Sequence, residues 1–224
     1  MIIENLFNKL QISHHKKIVN YIKDFDIIYI VDVGTHKGEF LQSCLNLEHV
    51  KKFYCFEPQF SMISYLKKKF SINKKIELYD LALDSVISKK KIYINELSST
   101  STLLEANEKS LYYKIKKIIL SPKKNIPDTY YVNTNTLDNV FSEKDLSKSL
   151  LKIDVEGFEL NVLIGSKKKI SEINYILIEN QTFNQYKQNS NKNCHEFLIK
   201  NNFKVIKNFY FPTLHFKDVL YKKI

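Results

Sequence analysis

The sequence predicts an α/β fold, a doubly wound and mostly parallel sheet with helices on both faces and an antiparallel hairpin at its C-terminal end. Three observations predict it. Short strand-like runs recur at 27–33, 52–56, 76–80, 150–153 and 175–178. Helical patterns stand between them, giving the strand–helix–strand order of a parallel sheet. The clearest run, IIYIVDV at 27–33, does not alternate polar and apolar residues, as a strand covered on both faces would not.

Residues 1–25 read as a leading helix whose stripe of Leu6, Leu10, Ile18, Ile22 and Phe25 packs against the sheet rather than lying on a membrane. The first strand follows at 27–33, then a helix over 37–47. KFYCF (52–56) is the second strand, closed by Pro58; a helix over 60–70 leads to the third, IELYD (76–80). LLKI (150–153) and YILI (175–178) are two further buried strands, separated by a helix around 159–170. After a short helix near 193–201, FKVIKNFYF (203–211) and LHFKDVLY (214–221) meet at Pro212 and form the closing hairpin. Residues 85–145 interrupt the alternation with a strand at 91–97, the cluster SSTST (98–102), a lysine-rich helix and a strand at 129–135. They read as an insertion on the binding side of the sheet. No repeat and no Pro/Gly/Ser-rich linker divides the 224 residues, so residues 1–224 are expected to form one domain.

Composition excludes several classes. No apolar run is long enough to span a bilayer, and the start MIIENLFNKLQ lacks the pattern of a secretory signal. Cys44, Cys55 and Cys194 are too widely spaced for a zinc site or disulfide framework and suit a reducing, cytoplasmic setting. The formal charge is +11, yet every cationic residue other than histidine is lysine. Scarce alanine and glycine beside abundant Ile, Asn and Lys reflect an AT-rich coding bias, so the charge is not by itself a sign of a polyanion partner. Arginine is the better residue for bidentate phosphate contacts, and its absence argues against nucleic acid. The lysine runs at 67–69, 89–91 and 167–169 read as solvated faces.

In an open α/β sheet, ligands bind beyond the carboxyl ends of the strands. Asp32-Val33-Gly34-Thr35-His36-Lys37-Gly38 follows the first strand, placing two of four glycines within five residues. Gly34 permits a sharp turn and Gly38 close packing where a helix begins. His36 occupies the place where a dinucleotide loop has its second glycine, so a carboxylate-bearing ligand fits better than a pyrophosphate. Glu57 ends the second strand, where a carboxylate can accept both ribose hydroxyls. Asp80 and Leu81 end the third and could read adenine. Asp154, Glu156 and Gly157 end the fourth, and Glu179-Asn180-Gln181 the fifth.

These residues resemble the FkbM-type S-adenosylmethionine-dependent methyltransferases. The matching segments are VDVGTHKGEF (31–40), FEP (56–58), TLDNV (136–140), LKIDVEGFELNVLIGS (151–166) and ILIEN (176–180), in the family's order. SSTST resembles the family's serine-rich stretch between its third and fourth strands, and His36 stands where the family usually carries asparagine. The resemblance implies a seven-stranded, Rossmann-like class I methyltransferase fold and O-methylation of a sugar, polysaccharide or polyketide hydroxyl. Asp32, Gly34, Thr35 and Gly38 would hold the methionine part of the cofactor, Glu57 its ribose, and Asp80 with Leu81 its adenine. Asp154 and Glu156 would border the methyl-transfer position.

A sugar hydroxyl becomes a good nucleophile only as its proton leaves, so a base is expected. Asp154 and Glu156 are the first candidates and His36 the third. Magnesium is not expected; the alternative places it on Asp154, Glu179 and Asn180, three oxygen ligands at neighbouring strand ends. Two other functions compete. RNA methylation would need stacking aromatics, for which Tyr112, Tyr113, Tyr130 and Tyr131 are available. The other is a non-catalytic S-adenosylmethionine-binding module that keeps the fold but not transfer; intact Glu57, Gly34 and Gly38 speak against it. The acceptor and the oligomeric state stay open.

Overall fold

A mainly apolar run puts Tyr29–Val33 at the centre of a sheet, with Ile30, Val31 and Val33 buried. A computed structural model describes residues 2–94, 101–104, 128–181, 191–213 and 216–224. In chain order the elements are α1 (Ile2–Ile22), β1 (Tyr29–Val33), α2 (Glu39–Cys44), β2 (Lys52–Phe56), α3 (Phe60–Lys69), β3 (Ile76–Tyr79), β4 (Ala82–Leu83), β5 (Ser88–Ile94), β6 (Asp128–Asn135), α4 (Leu137–Val140), β7 (Ser149–Ile153), α5 (Glu159–Ile164), β8 (Tyr175–Gln181), α6 (Asn191–Lys200), β9 (Phe203–Tyr210) and β10 (Phe216–Lys223).

Seven strands form the main sheet in the order β3-β2-β1-β7-β8-β10-β9. The first five are parallel; β10 runs antiparallel between β8 and β9. From β1 the chain winds outward through β2 and β3, then returns to β7 on the other side of β1. The strand order therefore reverses at the β1–β7 pair, where Val33 stands beside Ile153. The two-residue period of the strands divides the core. Val31, Val33, Leu151, Ile153, Ile176 and Ile178 face one layer together with Leu137, Val162 and Leu198 of α4, α5 and α6. Ile30, Leu150, Leu177 and Leu220 face the other, with Ile18 and Ile22 of α1 and Phe40 and Leu41 of α2. The leading helix thus packs on the sheet. Among the described residues no helix is long and apolar enough to cross a membrane.

Several boundaries differ from expectation. The helix expected over 37–47 shrinks to Glu39–Cys44, because Gly38 at φ 78° cannot lie inside it. The strand expected at 91–97 is Ser88–Ile94, and a two-residue strand, β4, was not foreseen. Within the expected insertion, β5 and β6 join β4 in a separate three-stranded sheet, order β4-β6-β5, around Ala82, Ile92 and Val132. The short β4 escapes sequence reading because two residues carry no periodicity. The lysine-rich helix, residues 95–100 and Tyr112–Tyr113 lie outside the described residues. Cys44, Cys55 and Cys194 are buried, and none forms a disulfide.

Asp84 docks the small sheet on the large one. Its buried carboxylate lies 2.7 Å from Lys90 Nζ and accepts the Asn161 amide of α5 at 3.3 Å. Directly behind α5, a Cβ on Gly165 would collide with the Asp84 carbonyl, although its φ of −75° suits any residue. Gly165→Ala should therefore lower stability by about 3 kcal/mol and the melting temperature by roughly 5–10 °C. Thermal denaturation checks this; an unchanged melting temperature would mean that β4 is not packed so tightly on α5.

Candidate active site

The loop after β1 is hitched to its neighbours at every step. Gly34 and Thr35 N–H both donate to the Phe56 carbonyl at 3.1 Å. Gly34 has φ 81°, and a Cβ there would overlap the Asp154 carbonyl, so glycine is required by the approach of the β7 loop itself. Thr35 is buried, its hydroxyl donating to the Asp32 carbonyl at 3.0 Å. Gly38 has φ 78°, and a Cβ there would lie 2.9 Å from the Phe70 ring.

Glu57 gathers the loop from the other side. One carboxylate oxygen accepts the His36 N–H and the other the Gln59 N–H, each at 2.8 Å. Burial pushes the Glu57 carboxyl up, and the two amide donors pull it back down. His36 itself adopts φ 51°, its Nδ1 lying 3.0 Å from Glu39 Oε1.

Above these groups opens a cleft that encloses about 570 Å³ of empty space, open solvent at its mouth included. Val33, Phe56, Leu81, Ile92 and Phe158 supply apolar walls; Gly34, His36, Glu57, Asp154 and Glu156 supply polar atoms. Ser101, Thr102 and Leu103 of the insertion line it as well. Thr102 is held there by backbone hydrogen bonds with Tyr93 and by its hydroxyl, which donates to the Glu156 carbonyl at 2.9 Å.

Not every expected residue reaches the cavity. Asp32, Thr35 and Gly38 lie beneath it and shape the loop, and Glu179 and Asn180 lie beyond its lining. Asp80 is exposed, 3.8 Å from Lys67, because the chain leaves the main sheet after Tyr79 to enter β4. Leu81, one residue on, does line the cavity. Glu156 adopts φ 53° and accepts the Gln181 amide at 2.8 Å.

Beside the cavity runs a row of charges on the α1 face of the sheet. Lys152, only 5% exposed, lies 3.2 Å from Asp32 Oδ1 and 3.3 Å from Asp154 Oδ2. Burial would lower its pKa, but Asp154 and Asp32 outweigh it and hold the ammonium charged. Asp154, one residue past the Ile153–Ile178 register pair, stands beside Glu179, which pairs in turn with Asp218. Burial first, then Asp154, Glu156, Asp218 and Glu159, raises the half-buried Glu179 carboxyl well above its usual range. Asp218 is bound by His14 Nε2 of α1 at 2.6 Å. Among the described residues no group of three His, Cys, Asp or Glu side chains is placed to hold a metal ion.

Sequence reading missed Lys152, although a lysine inside LLKI was a signal that something must neutralise it. It also missed the His14–Asp218 contact, which spans 204 residues and leaves no local trace. Phe158 and Leu103, which also line the cavity, were not singled out in the sequence.

Comparison with known proteins follows this geometry. The model of the Methyltransferase FkbM domain matches residues 32–205. A 2-O-methyltransferase, NoeI of Sinorhizobium fredii, is 23% identical over 174 residues, covering 74% of this chain and 68% of the relative. Among solved structures, the methyltransferase domain of bacterial CtHen1-C has TM-score 0.55 at 9% identity, covering 96% of this chain and 98% of that one. A SAM-dependent methyltransferase from Leishmania major has TM-score 0.52 at 12% identity, covering 96% and 72%. TrmK of M. capricolum, solved with S-adenosylhomocysteine, has TM-score 0.50 at 11% identity, covering 92% and 67%. These structures share the class I methyltransferase fold.

Burial of this charged row has a measurable consequence. His15, next to Lys152 and His14, is pushed down from 6.5 to about 3, chiefly by desolvation. Its native state is therefore neutral, and its contribution is complete above about pH 6.5 and lost as pH falls toward 3. Between pH 7 and pH 5 the protein should lose about 2 kcal/mol that His15→Leu does not lose. Urea denaturation at both values checks it; parallel losses would show that His15 takes up its proton in the native state.

Proposed function

The chain belongs to the FkbM methyltransferase family, and from that premise we propose that it transfers a methyl group from S-adenosylmethionine to a hydroxyl of a sugar, polysaccharide or other small molecule. The observation that carries the reading is Glu57 at the end of β2, on the rim of an apolar cavity at the point where strand order reverses. Each of its oxygens holds one backbone amide and keeps a lone pair for a ribose hydroxyl. Val33, Phe56, Leu81 and Phe158 offer apolar surface to a purine. Asp80 stands outside the cavity, so adenine is held by its faces rather than by that carboxylate. Gly34, His36 and Asp154 border the end for the amino acid and sulfur. The TrmK neighbour, solved with the demethylated product, is consistent with such a ligand on this fold.

S-Adenosylmethionine supplies an electrophilic methyl group on a cationic sulfur. What remains for the chain is to hold an acceptor oxygen in line and to receive its proton. We assign the proton to Glu156, which lines the cavity and whose carboxylate is oriented by the Gln181 amide. Asp154 serves less well because the Lys152 ammonium already lies against it. His36 is tied to Glu39 and stands third. A hydroxyl acceptor is favoured by the name of the NoeI relative. Glu156 and Asp154 border the cavity and would disfavour phosphate there, which favours an acceptor without it over RNA.

Calorimetry with S-adenosylmethionine tests the first half: wild type should bind, and Glu57→Gln should bind about tenfold or more weakly. Absence of heat with the wild-type protein would end the reading. Transfer of labelled methyl to a panel of methyl glycosides tests the second. Glu156→Gln should keep donor affinity and lower kcat by about a hundredfold; full turnover would remove Glu156 from the chemistry.

A further inference from the structure

A lysine in the middle of a buried strand needs a physical reason. Lys152 extends from β7 on the face shared with Asp32, its register partner on β1. Its ammonium has three N–H donors. It lies 3.2 Å from Asp32 Oδ1 and 3.3 Å from Asp154 Oδ2, and it donates to the Gly34 carbonyl at 3.3 Å. These acceptors come from the three pieces of chain that build this end of the site: the end of β1, the loop after it and the loop after β7. The two loops already touch, since Gly34 has no room for a Cβ against the Asp154 carbonyl.

Stability does not account for the arrangement. An apolar residue of similar volume, with its acidic partners also replaced, would generally hold the strands as well or better. Two of the three contacts instead reach residues that line the cavity, Gly34 and Asp154. We propose that Lys152 is a positioning residue of the donor site, holding the Asp154 carboxylate and the Gly34 carbonyl where they meet the cationic end of S-adenosylmethionine. Without the ammonium, Asp32 and Asp154 face each other across adjacent strands as like charges, and Asp154 turns away from the cavity. This inference rests on the donor assignment made above, and its test separates the two.

The test is a double-mutant cycle on the full chain: wild type, K152M, D154N and K152M/D154N, titrated with S-adenosylmethionine and S-adenosylhomocysteine by calorimetry. Each single variant should weaken donor binding by about tenfold or more. The double variant should bind no more weakly than the worse single, because Lys152 acts through Asp154. A K152M protein that binds within twofold of wild type overturns the inference, as do losses that multiply in the double variant. If K152M does not fold, D32N/K152M is compared with D32N, where removal of the ammonium leaves one unpaired carboxylate instead of two; the same tenfold difference is expected, and equal affinity overturns the role. Wild-type protein that binds neither ligand sinks the donor assignment and this inference together. Wild-type binding with K152M unaffected removes Lys152 alone.

Discussion

The seam between β1 and β7 is the constraint on which the molecule depends. Everything before β7 winds away from β1 in one direction, and everything after it in the other. Two loops therefore rise from adjacent strands and diverge, leaving a crevice that no helix fills. They remain in contact where the backbone of Gly34 lies against the Asp154 carbonyl. A side chain at that point would force the loops apart and disturb the His36 amide that reaches Glu57. The turn, the carboxylate and the seam form one unit.

Charge is distributed against the grain of the composition. The sequence has a formal excess of eleven positive charges, yet among the described residues most lysines face outward and acids gather at the carboxyl ends of β7 and β8 and the amino end of the antiparallel β10. A single buried ammonium and one histidine stand among them. That edge favours a cationic guest and disfavours an anionic one, whatever the sign of the surface as a whole. The exposed lysines are spread over α3, β5 and the turn after α5, so net charge says little about the site.

Much of this was legible in the residues. Parallel strands buried on both faces have runs such as IIYIVDV, and the glycine loop, Glu57 and Asp154 stand at strand ends that the alternation of elements locates. The closing hairpin was readable from two runs around Pro212. What escaped notice was what depends on distance in the chain or on very short elements. Asp80 looked equivalent to Glu57 because both follow a strand, but the chain turns off into β4 directly behind it and carries its carboxylate outward. The small sheet is built from strands whose exposed faces carry lysine and tyrosine, so its hydrophobic signal is faint. Lys152 was read through as part of an apolar run, when its charge was the anomaly in it.

The place of β10 also shapes how the protein comes into being. It lies between β8 and β9, both of which precede it in the chain, and its Asp218 reaches His14 near the other end. While the polypeptide emerges from the ribosome, β8 therefore has an open hydrogen-bonding edge and β9 has no neighbour to pair with. The sheet cannot close until β10 has been translated. Such late, long-range pairing slows folding and leaves bare strand edges meanwhile, the situation in which nascent chains rely on chaperones.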